Sequence, residues 1–92
     1  MKYVRVLWQH DYLDEPVELY SELDEDRWEL RKVEVFRDAR YGYAWSLGSS
    51  MTTQLSDEPL PESDEIAKDA QFVPEAITAA EFELVWKKAI AQ

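Results

Sequence analysis

Apolar and polar positions alternate along the first half of the chain with the two-residue period of a strand. Residues 2–9 set Val4, Val6 and Trp8 against Tyr3, Arg5, Leu7 and Gln9, and the first set is the cleaner core face. From Val17 to Trp45 the β-branched and aromatic residues continue, broken by Asp24-Glu25-Asp26 and by Asp38-Ala39-Arg40. This pattern predicts strands at about 17–23, 27–37 and 41–46, joined by tight turns into an antiparallel meander. Pro16 cannot donate a ladder hydrogen bond, so it marks where the second strand begins.

Two irregularities in the pattern carry information. Trp28 and Leu30 have even parity in the third strand whereas Val33 and Val35 have odd parity. A strict alternation cannot bury all four, which implies either a β-bulge near Arg31-Lys32 or partial cover on both faces. The fourth strand alternates Tyr41, Tyr43 and Trp45 with Gly42, Ala44 and Ser46. Rings on one side and small residues on the other imply that another element lies close over the small side.

From Leu47 the alternation stops. Gly48, serines, threonines and then SDEPLPESDE read as a loop, with Thr52 to Leu55 a candidate edge strand and Ser63 to Asp69 a short helix anchored by Ile66. The period then changes to that of a helix. Thr78-Ala79-Ala80-Glu81 is a capping box, and Ile77 and Phe82 are placed as its hydrophobic staple. Phe82, Val85, Trp86, Ala89 and Ile90 follow at helical spacing, and Lys87 and Lys88 suit the negative end of the helix dipole. A helix of this length is marginal alone in water, so it must dock on the sheet.

The expected fold class is α+β: an antiparallel four- or five-stranded β-meander with a C-terminal α-helix packed on one face. The expected organisation is a single domain over 1–92, with sheet at 2–46, acidic loop at 47–76 and helix at 78–91. By strand parity, the sheet face opposite the helix should present Tyr3, Arg5, Tyr20, Glu22, Arg31 and Tyr43, a mixture of Tyr and Arg that binding hot spots favour.

Composition narrows the functional classes. Twenty acidic residues against ten basic ones give a net charge of −10, which repels phosphate and makes nucleic acid a poor partner. A basic protein is the favoured partner, and the carboxylates Asp57, Glu58, Asp64 and Glu65 of the loop are its candidate contacts. Cysteine is absent, which excludes disulfides and thiolate metal sites and fits a reducing, cytoplasmic compartment. The N-terminus lacks the apolar run of a signal peptide, and no segment has the roughly 18 uninterrupted apolar residues of a membrane span.

Catalytic constellations are missing from the pattern. His10 is the sole histidine, which removes histidine pairs for metal or proton relay. Ser49-Ser50 lacks G-x-S-x-G spacing, and two isolated glycines cannot form a phosphate-cradling loop. The acidic loop lacks the D-x-[DN]-x-[DN]-G calcium pattern, so no metal and no cofactor are expected. Arg27, Arg31, Lys32, Arg37 and Arg40 form the one net-basic stretch, and cross-strand partners such as Glu18 and Glu22 are its simplest explanation.

KYVRVLWQHD, PVELYSELDEDRWELRKVEVFRDARYGYA, DEPLPE and ITAAEFELVW, in that order, resemble a family of small acidic bacterial proteins known only as a domain of unknown function. The resemblance covers nearly the whole chain and implies a bacterial single-domain protein, with no active site to transfer. Members of that family usually carry Asp-Gly where this chain has Asp38-Ala39; alanine at a positive φ would cost on the order of 1 kcal/mol, so a different turn is expected here. In size and charge the chain also looks like the immunity proteins of bacterial toxin systems. The leading expectation is therefore a non-enzymatic acidic binding protein, an immunity-type inhibitor of a basic partner. The alternatives are a small-ligand module or enzyme using the open sheet face, and an acidic phosphate mimic that blocks a nucleic-acid enzyme.

Overall fold

A computed structural model describes residues 1–92. Six strands form one antiparallel sheet: β1 (Lys2–Trp8), β2 (Pro16–Leu23), β3 (Glu29–Phe36), β4 (Tyr41–Trp45), β5 (Gly48–Ser49) and β6 (Phe72–Ala76), in the order β5-β4-β3-β2-β1-β6. Two helices complete the fold, α1 (Ser63–Ile66) and α2 (Ala79–Ile90). The α+β class and the C-terminal helix are as the pattern predicts.

The sheet gains a strand that the pattern hides. β6 has five residues and contains Pro74, two features that weaken a strand signature; an edge position tolerates the missing N–H. It lies against β1, with Val6 opposite Pro74 and Trp8 opposite Phe72, so β1 is an interior strand. The edge strand expected at Thr52–Leu55 is replaced by β5, which starts four residues earlier in the chain and pairs Ala44 with Ser49 and Trp45 with Gly48. Residues 50–62 run without regular structure, and with 63–69 they form an arm that folds back over the sheet.

Both turns of the meander are three-residue loops whose last residue has left-handed backbone. Arg27 N–H reaches Asp24 O while Asp24 N–H reaches Trp28 O, and Arg27 has φ 68°. Ala39 N–H reaches Phe36 O while Phe36 N–H reaches Arg40 O, and Ala39 has φ 70°. This is the hairpin geometry that favours glycine at the left-handed position. The Asp38-Ala39 turn thus keeps the glycine-type conformation with an alanine in it, contrary to the expectation of a different turn.

The parity conflict in the third strand has both of its expected resolutions for Leu30, Val33 and Val35, whereas Trp28 precedes β3 and stays 42% exposed. Glu22 faces Arg31 and Leu23 faces Glu29, so Leu30 is an extra residue on β3, a bulge one position before Arg31-Lys32. Both faces are also covered. On one, α2 lays Phe82, Trp86 and Ala89 against Val33, with Tyr3, Tyr20, Tyr41, Tyr43 and Trp45 packed around them. On the other, Val4, Val6 and Leu23 pack with Leu19, Phe72 and the arm residues Leu60 and Ile66. The small side chains of β4 are on this second side. A Cβ at Gly42 would meet Thr53 Oγ1 at 2.1 Å, so the arm presses onto the backbone there.

This arrangement reverses the expected assignment of faces. The face carrying Tyr3, Arg5, Tyr20, Glu22, Arg31 and Tyr43 is the one α2 covers, and the Val4–Val6 face lies under the arm. Alternation separates two faces but does not say which a helix will choose. Here the aromatic stripe of α2 matches a face built largely of rings.

The capping box forms as predicted. Thr78 Oγ1 accepts from Glu81 N–H at 3.1 Å, and the Glu81 carboxylate accepts from Thr78 N–H at 2.9 Å. No helix is long and apolar enough to cross a membrane.

Candidate functional site

The six residues expected on an open face are neighbours, but they make a clamp under α2. Arg31 donates from Nε and Nη2 to the two oxygens of Glu22, at 2.7 and 2.8 Å, and from Nη2 to Glu83 on α2. Its guanidinium also lies over the rings of Phe82 and Trp86, at 4.9 and 5.0 Å from their centroids. Tyr3 donates its hydroxyl to Glu22 at 3.1 Å, and the Tyr43 ring meets Trp86 edge-on at 5.7 Å. A second set, Arg5, Glu18 and Tyr20, is joined by bonds of 2.6–3.3 Å.

The electrostatics follow from these contacts. Hydrogen bonds from Arg31 hold the Glu22 carboxyl below its ordinary range, against the opposing effect of burial. The Arg31 guanidinium is raised, chiefly by bonding to Glu22. Burial raises the Tyr3 and Tyr20 hydroxyls. The basic stretch is thus absorbed by local partners. Glu22 holds Arg31, while Glu18 pairs with Arg5 of β1 rather than with a β3 arginine.

The loop carboxylates Asp57, Glu58, Asp64 and Glu65 all lie exposed on the arm, whose position is set by two anchors. Arg27, in its left-handed turn, donates to Leu60 O at 2.9 Å and to Pro61 O at 2.8 Å, and accepts from Leu60 N–H through its own carbonyl. A second anchor is the buried Glu29 carboxylate, which accepts from Ser56 N–H at 2.7 Å and from the Ser21 hydroxyl at 2.9 Å. These bonds, with the Arg27–Glu62 ion pair at 3.5 Å, hold the arm beside the β2–β3 turn. Glu65 pairs with Lys68 at 2.9 Å; Asp57, Glu58 and Asp64 lie outside any ion pair.

Between the arm and the sheet lies a cavity of about 380 Å³. Val6, Leu19 and Phe72 form its floor, and Leu60, Pro61 and Ile66 overhang it from the arm. Ser21 of β2 and Glu29 and Lys32 of β3 also line it, with Glu65 and Asp69 from the arm. The Glu29 side chain is only 2% exposed and its oxygens are used. Lys32 is different: its ammonium lies 3.6 Å from Glu29, beyond hydrogen-bond distance, and donates to no protein atom. The sequence reading missed this site because its walls come from residues far apart in the chain. Ile66, already marked as an apolar anchor among acids, was the available signal.

His10 has a structural assignment. Its Nδ1 accepts from Tyr12 N–H at 2.9 Å, so Nε2 carries the proton and donates to Pro16 O at 2.7 Å. The ring staples the β1–β2 connection and faces no carboxylate partner. No cluster of three or more His, Cys, Asp or Glu side chains is placed to hold a metal ion.

Comparison with curated proteins and with solved structures found no match. The family model described as "Domain of unknown function (DUF6881)" matches residues 2–91. The strands, the arm and both helices all fall inside that match, and the chain belongs to this family.

Proposed function

We propose that this protein is a non-enzymatic binding protein whose partner is a basic protein, in the manner of an immunity-type inhibitor in the bacterial cytoplasm. The observation that carries this reading is how the charges are spent. Six of the ten basic side chains lie in ion pairs, and Arg37 is bonded to His10 O. Those pairs use eight of the twenty carboxylates and leave twelve outside any ion pair. The remaining cations, Lys2, Lys87 and Lys88, are exposed and outside any ion pair, against twelve such carboxylates, so the charge left for a partner is predominantly acidic. An acidic surface with an apolar cavity beside it has the makeup of an interface, a charged rim around a hydrophobic centre. The irregular run of residues 50–62 argues against a phosphate mimic, which needs its carboxylates evenly spaced on one ridge.

The test is affinity capture from the native host, with wild-type bait beside a bait in which Asp57, Glu58, Asp64 and Glu65 are neutralised. The expected result is a basic protein that is released by salt and recovered poorly by the neutralised bait, because screening weakens exposed charge pairs beyond about 8–10 Å. Capture indifferent to both salt and neutralisation, or an acidic partner, overturns the reading.

A further inference from the structure

The cavity under the arm has chemistry that its acidic surroundings conceal. Its floor and overhang are apolar, and its volume of about 380 Å³ lies within the roughly 300–1,000 Å³ of sites that bury a ligand group. Inside it, the hydrogen-bond inventory leaves one group unused. Ser21 donates to Glu29, and Glu29 accepts from Ser21 and Ser56. Lys32 carries three donors and makes no hydrogen bond, with its side chain only 17% exposed. A group that enters the cavity therefore meets apolar walls and a solvent-reached ammonium, paired with Glu29 at 3.6 Å, whose donors are free for an acceptor.

Charge restricts that group further. A carboxylate brought to Lys32 would also face Glu29, Glu65 and Asp69, while a cation would have to lie beside the Lys32 ammonium. An uncharged acceptor avoids both penalties. We propose that the cavity is the anchor pocket of the protein's interface: it takes one large apolar side chain of the basic partner, and the adjoining main-chain carbonyl of that partner accepts from Lys32. This rests on the reading that the partner is a basic protein, whose cations would lie over Glu65, Asp69 and the acids of the arm around the buried anchor. Interfaces concentrate their energy in such central apolar anchors ringed by weaker polar contacts.

Three small probes separate the possible chemistries by ¹H–¹⁵N NMR on the full chain: N-acetyl-phenylalaninamide, phenylpropionate and phenethylammonium. The neutral amide is expected to move the amide signals of Val6, Leu19, Ser21 and Ile66 saturably. Lys32→Met, which keeps the apolar stem, should weaken it by about tenfold, the factor that follows from losing roughly one hydrogen bond to a charged group. Because Lys32→Met leaves Glu29 without its cation, Ile66→Trp supplies a second variant, filling the cavity from the exposed arm. It should abolish the shifts while the far-UV spectrum stays as in wild type. Tighter binding of phenethylammonium or phenylpropionate, or shifts that survive Ile66→Trp, overturns the proposal.

The same variant separates this proposal from the reading beneath it. Ile66→Trp keeps every acidic residue, so as bait it should recover the basic partner at least about tenfold less well than wild type, the loss expected of a blocked hot spot. Undiminished recovery would discard the pocket and leave the basic partner standing. Saturable probe binding with no basic protein recovered by wild type would discard the protein occupant and make the cavity a small-molecule site.

Discussion

Trp86 is where the packing of α2 can be tested most directly. It is 4% exposed, at the middle of the helix, and its ring meets Trp45 at 5.2 Å, Tyr43 at 5.7 Å and Phe82 at 6.3 Å between centroids. Arg31 lies over it at 5.0 Å. Trp86→Ala removes that ring and leaves a void that the rigid sheet cannot close. Large-to-small changes of this kind cost about 3–5 kcal/mol, and lost aromatic pairs add to the upper part of that range. A domain of this size is stable by about 5–14 kcal/mol, at roughly 0.05–0.15 kcal/mol per residue, so a large share of its stability should go. Urea unfolding followed by far-UV circular dichroism measures the loss without relying on tryptophan emission. Leu84→Ala, on the opposite side of the same helix and 64% exposed, is the control and should change stability by less than about 0.5 kcal/mol. A Trp86→Ala loss under about 1 kcal/mol, comparable to the control, would show that α2 does not rest on this face.

Two further outcomes follow from named contacts. The Glu22 carboxyl is held below its unfolded value of about 4.3, so it contributes stability above that pH and loses it as pH falls through the folded value. Glu22→Gln should therefore lower the urea midpoint at pH 7 and narrow the wild-type difference between pH 7 and pH 3; an unchanged difference refutes the assignment. The two left-handed turn residues should respond oppositely to glycine. Ala39→Gly relieves a strained φ with no side-chain contact to lose and should stabilise by about 0.5–1 kcal/mol, whereas Arg27→Gly relieves similar strain but releases the arm from its bonds to Leu60 and Pro61 and should destabilise. Thermal unfolding midpoints moving in the same direction would refute the role given to Arg27.

The parts legible in the sequence are those whose cause is local. The meander follows from alternation and two charged breaks, and the start of α2 follows from Thr78, Glu81 and the stripe beginning at Phe82. β6 was illegible because its strand character is imposed by β1: Phe72 and Pro74 find partners there, and nothing within AQFVPEAI compels an extended chain. The cavity was illegible for the same reason, since Val6, Leu19, Lys32 and Ile66 meet only through the tertiary fold. The inverted faces have a different cause. Tyr3, Arg31 and Glu22 look solvent-facing when counted one by one, yet Arg31 and Glu22 cancel each other's charge, and an arginine over two rings behaves as part of an aromatic core.

The two faces consequently do different work. Under α2, rings interlock around Val33 and the Arg31 clamp, so a change there is felt through the whole core. Under the arm, cover depends on Leu60, Pro61, Ile66 and a few polar anchors, Arg27 and Glu29 chief among them. Segments with few buried apolar contacts open at lower free energy than the core they cover, and binding elements are drawn from that end of the range. The arm also carries four of the twelve carboxylates outside any ion pair, Asp57, Glu58, Asp64 and Asp69, the last of them lining the cavity. Adaptability, charge and an apolar recess are thus gathered on the side whose rearrangement costs the fold least, while the helix side keeps the sheet in shape. Substitutions of the exposed acids Asp57, Glu58 and Asp64 should alter recognition with little effect on unfolding, and those beneath α2 should do the reverse.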